Sequence, residues 1–573
     1  MTSLTKTSNT ISSSEFTKIL IGVIVGAIAL IWGASVLNVT KLEWVMLVVI
    51  LAGVFMALMQ MRGHEKGLFI LFFTEMWERF SYYGMRAILI FFLTKHFLFD
   101  RDAAYGIYGA YVAFVYITPV IGGVLADRYL GYRKAIALGA GLLVLGHLGM
   151  AFEGAPVTDP AMRDPFVMNV FYLSLSFIIA GVGFLKANIS ALVGDLYAKM
   201  DPRRDSGFTL FYVGINLGAA LGAIVAARLG ESLGWNWGFG AAGIGMLFGL
   251  IMFTIGKGWL HGAGEPPNPA KLKAKQFLGL SQEWLIYLCT LVGILFIWYF
   301  VRSQDAVNWL LVIASVVVLG YILFVCITQL NGREFQRIIA AVFLISLNVL
   351  FWALFEQAGS SLNIYTDEHV NRMVMGEEVP AATFQSLNAM YIVFLGPLFA
   401  WAWAWLAMRG KDPSAPFKFG LGVIQLGLGY LVFVWGANNG MDLTPVLFIF
   451  LIYLLHTTGE LCLSPVGLSA MTRLSPPMMV GLIMGAWFLA SAGGNAVSAI
   501  IAQATIGDGA IEGGDKAQVL AVYWKYGVVT VGIGFFLVLI SPFIKRLMHL
   551  DTLGEDMKKW EQKRSEAEAE PAE

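Results

Sequence analysis

Four ionisable side chains stand within twelve residues of an otherwise apolar run. They are Glu75, Glu78, Arg79 and Arg86, in EMWERFSYYGMR, flanked by GLFILFFT and AILIFFLT. An ionised group facing lipid at mid-membrane costs ~2.5–3.5 kcal/mol on insertion scales, so four would cost about 10 kcal/mol or more. At about 100° per residue, Glu75, Arg79, Tyr82 and Arg86 fall together on one helix face, with Glu78 and Tyr83 flanking them. Such a stripe must face partner groups or water, and is a functional candidate by default. The residue types, carboxylates beside cations, offer proton exchange and anion binding. The structural alternative is an ion-pair network between helices.

Further polar groups interrupt later apolar runs. Lys186 lies in GVGFLKANISALVGD, Asn216 in FYVGINLGAALGA, Glu356 in FWALFEQAGSSLN one turn after Trp352, and Glu460 in HTTGELCLSPVG one turn after His456. Trp487, Ser491 and Asn495 repeat at i, i+4 and i+8 in AWFLASAGGN, which places them on one face. Acids and bases thus come from both halves of the chain, and a water-filled cavity at the midplane would let them meet. His456 reads either as a proton site or as a core histidine, and His147 as packing. There is no HExxH, GxSxG or GxxxxGK[ST], so no hydrolytic centre and no ATP site of those kinds is expected. An ion gradient is the remaining energy source, and no cofactor is expected. Cys289, Cys326 and Cys462 are scattered through apolar segments; they form neither a disulfide framework nor a metal-ligand spacing.

The elements that position these groups are membrane helices. The chain has 573 residues, 58% hydrophobic and 13% charged, with no net charge and a mean hydropathy of +0.72. A soluble domain carries roughly a quarter charged residues, and a neutral chain gives no field for nucleic acid. Apolar runs of membrane length recur at 19–37, 44–61, 67–95, 104–124, 134–152, 167–197, 208–229, 236–257, 283–301, 307–329, 337–358, 384–408, 417–437, 443–471, 478–504 and 520–543, about sixteen spans. The first two read as retained helices rather than a cleaved leader, because the polar start is long and a second apolar run follows at once. Lys and Arg collect in loops such as DRYLGYRK, KLKAK and NGREFQR, so that side is expected to be cytoplasmic, with both termini inside. HGAGEPPNPAKLKAKQ, 261–276, reads as the linker between two bundles. The tail is polar and mixed in charge, the composition of a disordered segment or a solvated helix.

The motifs also carry a family resemblance. EMWERFSYYG resembles the ExxERFxYY signature of the proton-dependent oligopeptide transporters, a branch of the major facilitator superfamily. GGVLADRYLGYRK (122–134) resembles the superfamily's loop between its second and third helices, and FLKANIS, FYVGINLG, FWALFEQAGSSLN, GELCLSPVGLS and AWFLAS resemble later family helices in order. The likeness spans roughly 67–548 and is of the prokaryotic type. It implies an all-α polytopic membrane protein of the major facilitator fold: a six-helix bundle over 67–257, a linker and inserted helix pair over 258–336 and a second six-helix bundle over 337–548; outside the family pattern, the apolar runs add an extension with two extra helices over 1–66, and a cytoplasmic tail follows over 549–573. The resemblance implies a multi-pass protein of the bacterial inner membrane, not an enzyme, that imports di- and tripeptides with protons by alternating access.

Site roles follow from the resemblance, position by position. Arg86, Lys186 and Tyr82 resemble residues that receive the peptide's carboxylate, and Glu460, Asn216 and Asn388 those that take its amino end. Glu75, Glu78, Arg79 and Glu356 resemble the proton-coupling and salt-bridge set. Tyr83, Tyr116, Trp352, Trp487 and Ser491 resemble pocket lining, and Asp127 and Arg128 belong to the gating loop. Some relatives carry a titrating histidine on the second core helix; YGIYGAYVAFVYITP has none, so coupling is expected to rest on carboxylates. The alternatives are another solute on the same fold (a drug, an amino-acid conjugate or nitrate), a non-transporting peptide sensor or an intramembrane enzyme. The residues leave open which of Glu75 and Glu78 titrates, the oligomeric state, and the role of 1–61.

Overall fold

The computed structural model describes residues 10–197, 201, 203–276, 279–438, 440–476, 479–506 and 516–552. In chain order the helices are α1 Ser13–Val36, α2 Lys41–Met61, α3 Lys66–Phe91, α4 Arg101–Leu125, α5 Gly131–Met150, α6 Pro165–Asp195, α7 Arg204–Leu233, α8 Trp235–Gly256 and the short α9 Pro269–Lys273. They continue with α10 Gln282–Phe300, α11 Gln304–Gln329, α12 Gly332–Phe355, the short α13 Ser361–His369, α14 Ser386–Met408, α15 Ala415–Ala437, α16 Leu447–Leu474, α17 Val480–Gln503 and α18 Lys516–Leu547. Among the described residues, 14 helical runs are long and apolar enough to cross a membrane. One of them, Arg101–Met150, comprises both α4 and α5, and α3 stands outside the fourteen because of its charged stripe. The apolar segments expected from sequence therefore each correspond to a helix. The expected tail lies outside the described residues from 553 onward, as do most of the glycine-rich loop before α18 and the first nine residues.

Local chemistry sets several helix starts. Ser12 with Glu15, Thr40 with Glu43, and Asn331 with Glu334 form capping boxes at α1, α2 and α12, each satisfying backbone N–H groups that a first turn leaves unpaired. Helix α1 buries only Phe16 and Ala34; its base is held by Lys66 on Glu15 at 2.9 Å and by Arg62 over the Phe16 ring.

The chain packs into two compact units. Unit 1 comprises Met1–Gln304, Gln357–Phe394 and Met441–Ile449; unit 2 comprises Asp305–Glu356, Leu395–Gly440 and Phe450–Glu573. In unit 1, α3 packs against α7 and α8, α5 and α4 against α6, α2 against α7, and α10 against α6. In unit 2, α15 packs against α18 and α12 against α17. The chain passes into unit 1 at Gln357 and leaves it within α14.

Two details depart from a plain row of helices. First, the stretch between α12 and α14 is structured. After α13, strand β1 (Val370–Asn371) pairs in parallel with β4 (Thr444–Pro445), and β2 (Met373–Val374) forms a hairpin with β3 (Glu377–Glu378). The hairpin turns through Met375 and Gly376, both at positive φ, as a tight two-residue turn requires. Strands of two residues carry no readable periodicity. Second, the linker is anchored. Arg133 donates from Nε to the Ala263 carbonyl at 2.6 Å and from Nη1 to Glu265 at 2.6 Å, Asn268 caps α9, and Lys134 meets Glu283 of α10 at 2.5 Å.

Candidate transport site

Helix α3 brings its charges together as its spacing predicts. The Arg79 Nε lies 2.7 Å from Glu75 Oε1 and 2.8 Å from Glu78 Oε2. All three side chains are buried, so this is one cation shared by two carboxylates at low dielectric, where separating the charges is costly. The two acids are not equivalent. The Arg79 Nε–H is aligned on Glu75 Oε1 as a hydrogen bond, whereas its approach to Glu78 Oε2 is an ion pair without that alignment; among the described residues Glu75 Oε2 and both Glu78 oxygens accept no hydrogen bond. The ion-pair reading and the functional reading thus meet in the same three residues.

Two turns along, Arg86 is also buried and donates from Nε to the Tyr108 hydroxyl on α4 at 2.7 Å. Its guanidinium stands 5.7 Å from the Tyr83 ring centroid and 5.9 Å from that of Tyr108, within cation–π range. Tyr82 packs edge-on to Tyr83 and stacks on Tyr111 of α4, with centroids 6.4 Å apart. Lys186 of α6 is half-buried, and its ammonium lies 4.0 Å above the Tyr116 ring. Asn216 on α7 is buried and donates to the Tyr212 carbonyl of its own helix. Asn388 is half-buried in the first turn of α14. Unit 1 therefore gathers Glu75, Glu78, Arg79, Tyr82, Tyr83, Arg86, Tyr116, Lys186, Asn216 and Asn388.

Unit 2 holds Trp352, Glu356, Glu460, Trp487 and Ser491 of the expected set. Glu356 is buried and caps the C-terminus of α12. Trp352, half-buried, packs on Gly494 of α17 and edge-on to Phe351 and Phe355. Trp487 lies against Gly467 of α16, where any Cβ would run into the indole. Ser491, one turn on, accepts from Asn348 Nδ2 at 2.8 Å, and the same amide reaches the Trp487 carbonyl at 3.3 Å. Glu460 is half-buried on α16. His456 is buried among Phe355, Tyr430 and Gly429, and His147 is wholly buried.

Asp127 and Arg128 stand apart, exposed in the wide turn 126–130 between α4 and α5. Three residues join the site that sequence reading passed over: Tyr108, Tyr111 and Asn348. The tyrosines sit one turn apart in YGAY and were visible as a polar pair on an apolar helix; Asn348 is a lone amide in ISLNVLFW.

At one end of unit 1, the segment leading into α14 is tied to the N-terminal helices. Lys95 pairs with Asp367, Arg101 bridges both oxygens of Glu368 at 2.6 and 2.7 Å, and Asn363 and Gln385 both donate to the Ala87 carbonyl at 3.2 Å.

Residues 133–510 match the POT family. The chain belongs to the POT family. The match begins after the α3 stripe, so the geometry of Glu75 to Arg86 stands beside it as a separate observation. Among relatives of this POT chain, an uncharacterized transporter of Bacillus subtilis, YclF, is 38% identical over 497 residues, covering 85% of this chain and 95% of its own. A peptide transporter of Yersinia enterocolitica is 33% identical, covering 85% and 96%, and a di-/tripeptide transporter of Lactococcus lactis 32% identical, covering 85% and 97%. The crystal structure of a peptide transporter POT in complex with sulfate superposes with a TM-score of 0.72 at 34% identity, over 85% of this chain and 96% of that one. A POT family transporter in complex with 5-aminolevulinic acid gives 0.71 at 31%, over 84% and 97%. The POT fold accordingly comprises the core helices described above, in a polytopic membrane transporter.

Proposed function

We propose that this chain is a proton-coupled symporter that imports di- and tripeptides by alternating access. The observation that carries the reading is the buried stripe on α3, in which Arg79 holds Glu75 and Glu78 while Arg86 and Tyr82 lie two turns and one turn away. The names of the relatives from Yersinia and Lactococcus support the substrate class.

A dipeptide is a zwitterion with variable side chains, so fixed opposite charges can hold its ends whatever lies between. Arg86 and Lys186 receive the carboxylate, with Tyr82 as a hydroxyl partner. Glu460, Asn216 and Asn388 receive the amino end. Tyr83, Tyr116, Trp352, Trp487 and Ser491 give sequence-tolerant walls with polar handles. Each added residue lengthens the ligand by up to ~3.3–3.6 Å, so a closing site limits length sharply. Asp127 and Arg128 act in the gating loop.

Coupling runs through carboxylates. Glu356 takes a proton on the outer side, which leaves Arg86 to bind peptide, and loses it to the cytoplasm. Of the α3 acids we assign the coupling role to Glu78, which meets Arg79 as an ion pair without an aligned hydrogen bond, and a structural role to Glu75, which accepts that bond. Each positive charge moved inward gains ~2.3 kcal/mol per 100 mV of membrane potential. Both termini, the Lys- and Arg-rich loops and the linker face the cytoplasm in this reading, and the end bearing Lys95 and Arg101 faces outward.

The test is uptake of di-, tri- and tetrapeptides into proteoliposomes under an imposed proton gradient. Accumulation of the first two, abolished by Glu356→Gln and by dissipating the gradient, is expected; accumulation that persists in Glu356→Gln would remove that residue from the mechanism. A second reading, a small peptide-like amino-acid derivative as substrate, is favoured by the relative solved with 5-aminolevulinic acid. Competition by unlabelled dipeptides in the same assay separates the two.

A further inference from the structure

We infer that Tyr108 is a positioning residue for the carboxylate-binding Arg86, and that Gly359 is the contact that seats it. This rests on the proposed role of Arg86. Tyr108 and Arg86 are both buried, and the Tyr108 hydroxyl takes the guanidinium's Nε–H at 2.7 Å. That bond fixes the guanidinium plane and directs a carboxylate to its Nη edge. The backbone of Gly359 closes over both groups: a Cβ there would run into the Tyr108 hydroxyl and come within 3.4 Å of Arg86 Nη2. Gly359 lies just after the chain enters unit 1 from unit 2, so the orientation of Arg86 is linked to the docking of that segment.

Proteoliposomes and a labelled dialanine probe test this. Tyr108→Phe removes one charge-assisted hydrogen bond, and KM should rise about tenfold with the maximal rate nearly unaltered. Inhibition by the dipeptide amide, which lacks the carboxylate, should not change, whereas a merely structural loss would weaken both ligands. Gly359→Ala should raise KM at least as much. An unaltered KM in Tyr108→Phe, with Arg86→Ala inactive, overturns the inference and leaves the function standing. An unaltered Arg86→Ala overturns the reading beneath it.

A separate observation concerns the first helix pair, which stands outside the family motifs. We propose that α2 is a strap that holds the segment 375–386 onto α7 and so disfavours opening at that end of the molecule. The Glu43 side chain is fully buried and pairs with Arg228 of α7. The same carboxylate accepts from Thr383 Oγ1 at 3.2 Å and from the Thr40 backbone and hydroxyl at 2.7 and 2.9 Å. Beside it, the Lys41 amide donates to Glu377 Oε2 at 2.6 Å and its ammonium to the Met375 carbonyl at 3.1 Å, while Ser386 reaches the Met46 sulfur at 3.5 Å. Further along, Gly53 packs on Leu217, so the body of α2 lies along α7. One turn of α2 thus grips both α7 and a segment that runs on through α14 into unit 2. Any motion that draws this segment away from α7 must break one set of contacts. Breaking the buried Glu43–Arg228 pair would leave an uncompensated charge inside the protein, so the ties to Thr383, Glu377 and Met375 are the ones to release.

A cysteine reporter reads this. Cys289, Cys326 and Cys462 are replaced by serine, Ser360 by cysteine, and labelling by a membrane-impermeant maleimide is timed in the full chain. Glu377→Gln, an accessible position, should speed labelling about twofold, and Glu43→Gln about tenfold or more. Unaltered labelling in Glu377→Gln combined with Thr383→Val, both of which leave the Glu43–Arg228 pair intact, overturns the strap, and decides the matter even where Glu43→Gln fails to fold.

Discussion

Arg79 holds two carboxylates of its own helix in a buried site, and the asymmetry between them is the sharpest chemical feature of the chain. Removing the cation leaves two uncompensated charges. Arg79→Met is therefore expected to lower stability by about 3–5 kcal/mol, read as a large fall in the melting temperature of detergent-solubilised protein. The two acids should behave differently. Glu78→Gln is expected to retain peptide exchange across the membrane but to lose accumulation driven by a proton gradient. Glu75→Gln breaks the hydrogen bond that orients Arg79 and is expected to lower stability first. Equal phenotypes in the counterflow and gradient assays would defeat the assignment of Glu78. The spacing of these residues already put them on one face, since helical period is local geometry. The hydrogen-bond inventory that separates Glu75 from Glu78 depends on how α3 is covered by its neighbours, which spacing does not carry.

At the scale of elements, small residues decide which side chains can be seated. Trp487 rests on Gly467, and the same turn of α17 carries Ser491 to its bond with Asn348 of α12. Gly467→Ala must displace the indole, at about 1–3 kcal/mol, and is expected to weaken peptide binding more than it lowers the melting temperature. The turn between α2 and α3 offers a pH test. His64 is packed between Tyr197, 2.9 Å from Nδ1, and Ser206, 3.2 Å from Nε2. Burial first, and the nearby Arg203 second, push its pKa below the ordinary 6.5. The unfolded chain then binds the proton more readily than the folded one, so the stability His64 contributes is present above about pH 6.5 and is lost as pH falls through and below that value. His64→Gln should flatten thermal stability between about pH 7 and pH 5.5, while an unchanged slope would place the titrating group elsewhere. Among the elements, the helices were legible because each is an apolar run of membrane length bounded by polar turns. The pieces β1 to β4 and the anchoring of the linker were not. Two-residue strands have no period, and the linker's Pro- and Gly-rich composition describes its own backbone preferences, not the Arg133 that grips it.

For the whole molecule, membership of the POT family and the charge set distributed over both units lead to one expectation. Purified protein in liposomes should concentrate di- and tripeptides against a gradient when protons run inward, and should fail to do so when the gradient is collapsed. Exchange of peptide without net accumulation in the wild-type chain would point to facilitated diffusion and overturn the symport mechanism. Composition and periodicity by themselves determined that this is a polytopic helical membrane protein, how many spans it has, and which face of α3 is polar. The reason is that lipid leaves a spanning backbone little choice but the helix, and the cost of charge in lipid forces ionisable groups onto one side. Only the tertiary structure decided that Tyr108 holds Arg86, that Asn348 holds Ser491, that residues 357–394 pack with the N-terminal helices, and that Glu43 of the added helix pair is locked to Arg228. These are contacts between helices far apart in the chain. They depend on which side chains are small enough to let two backbones approach, a property of pairs of surfaces that no single stretch of sequence contains.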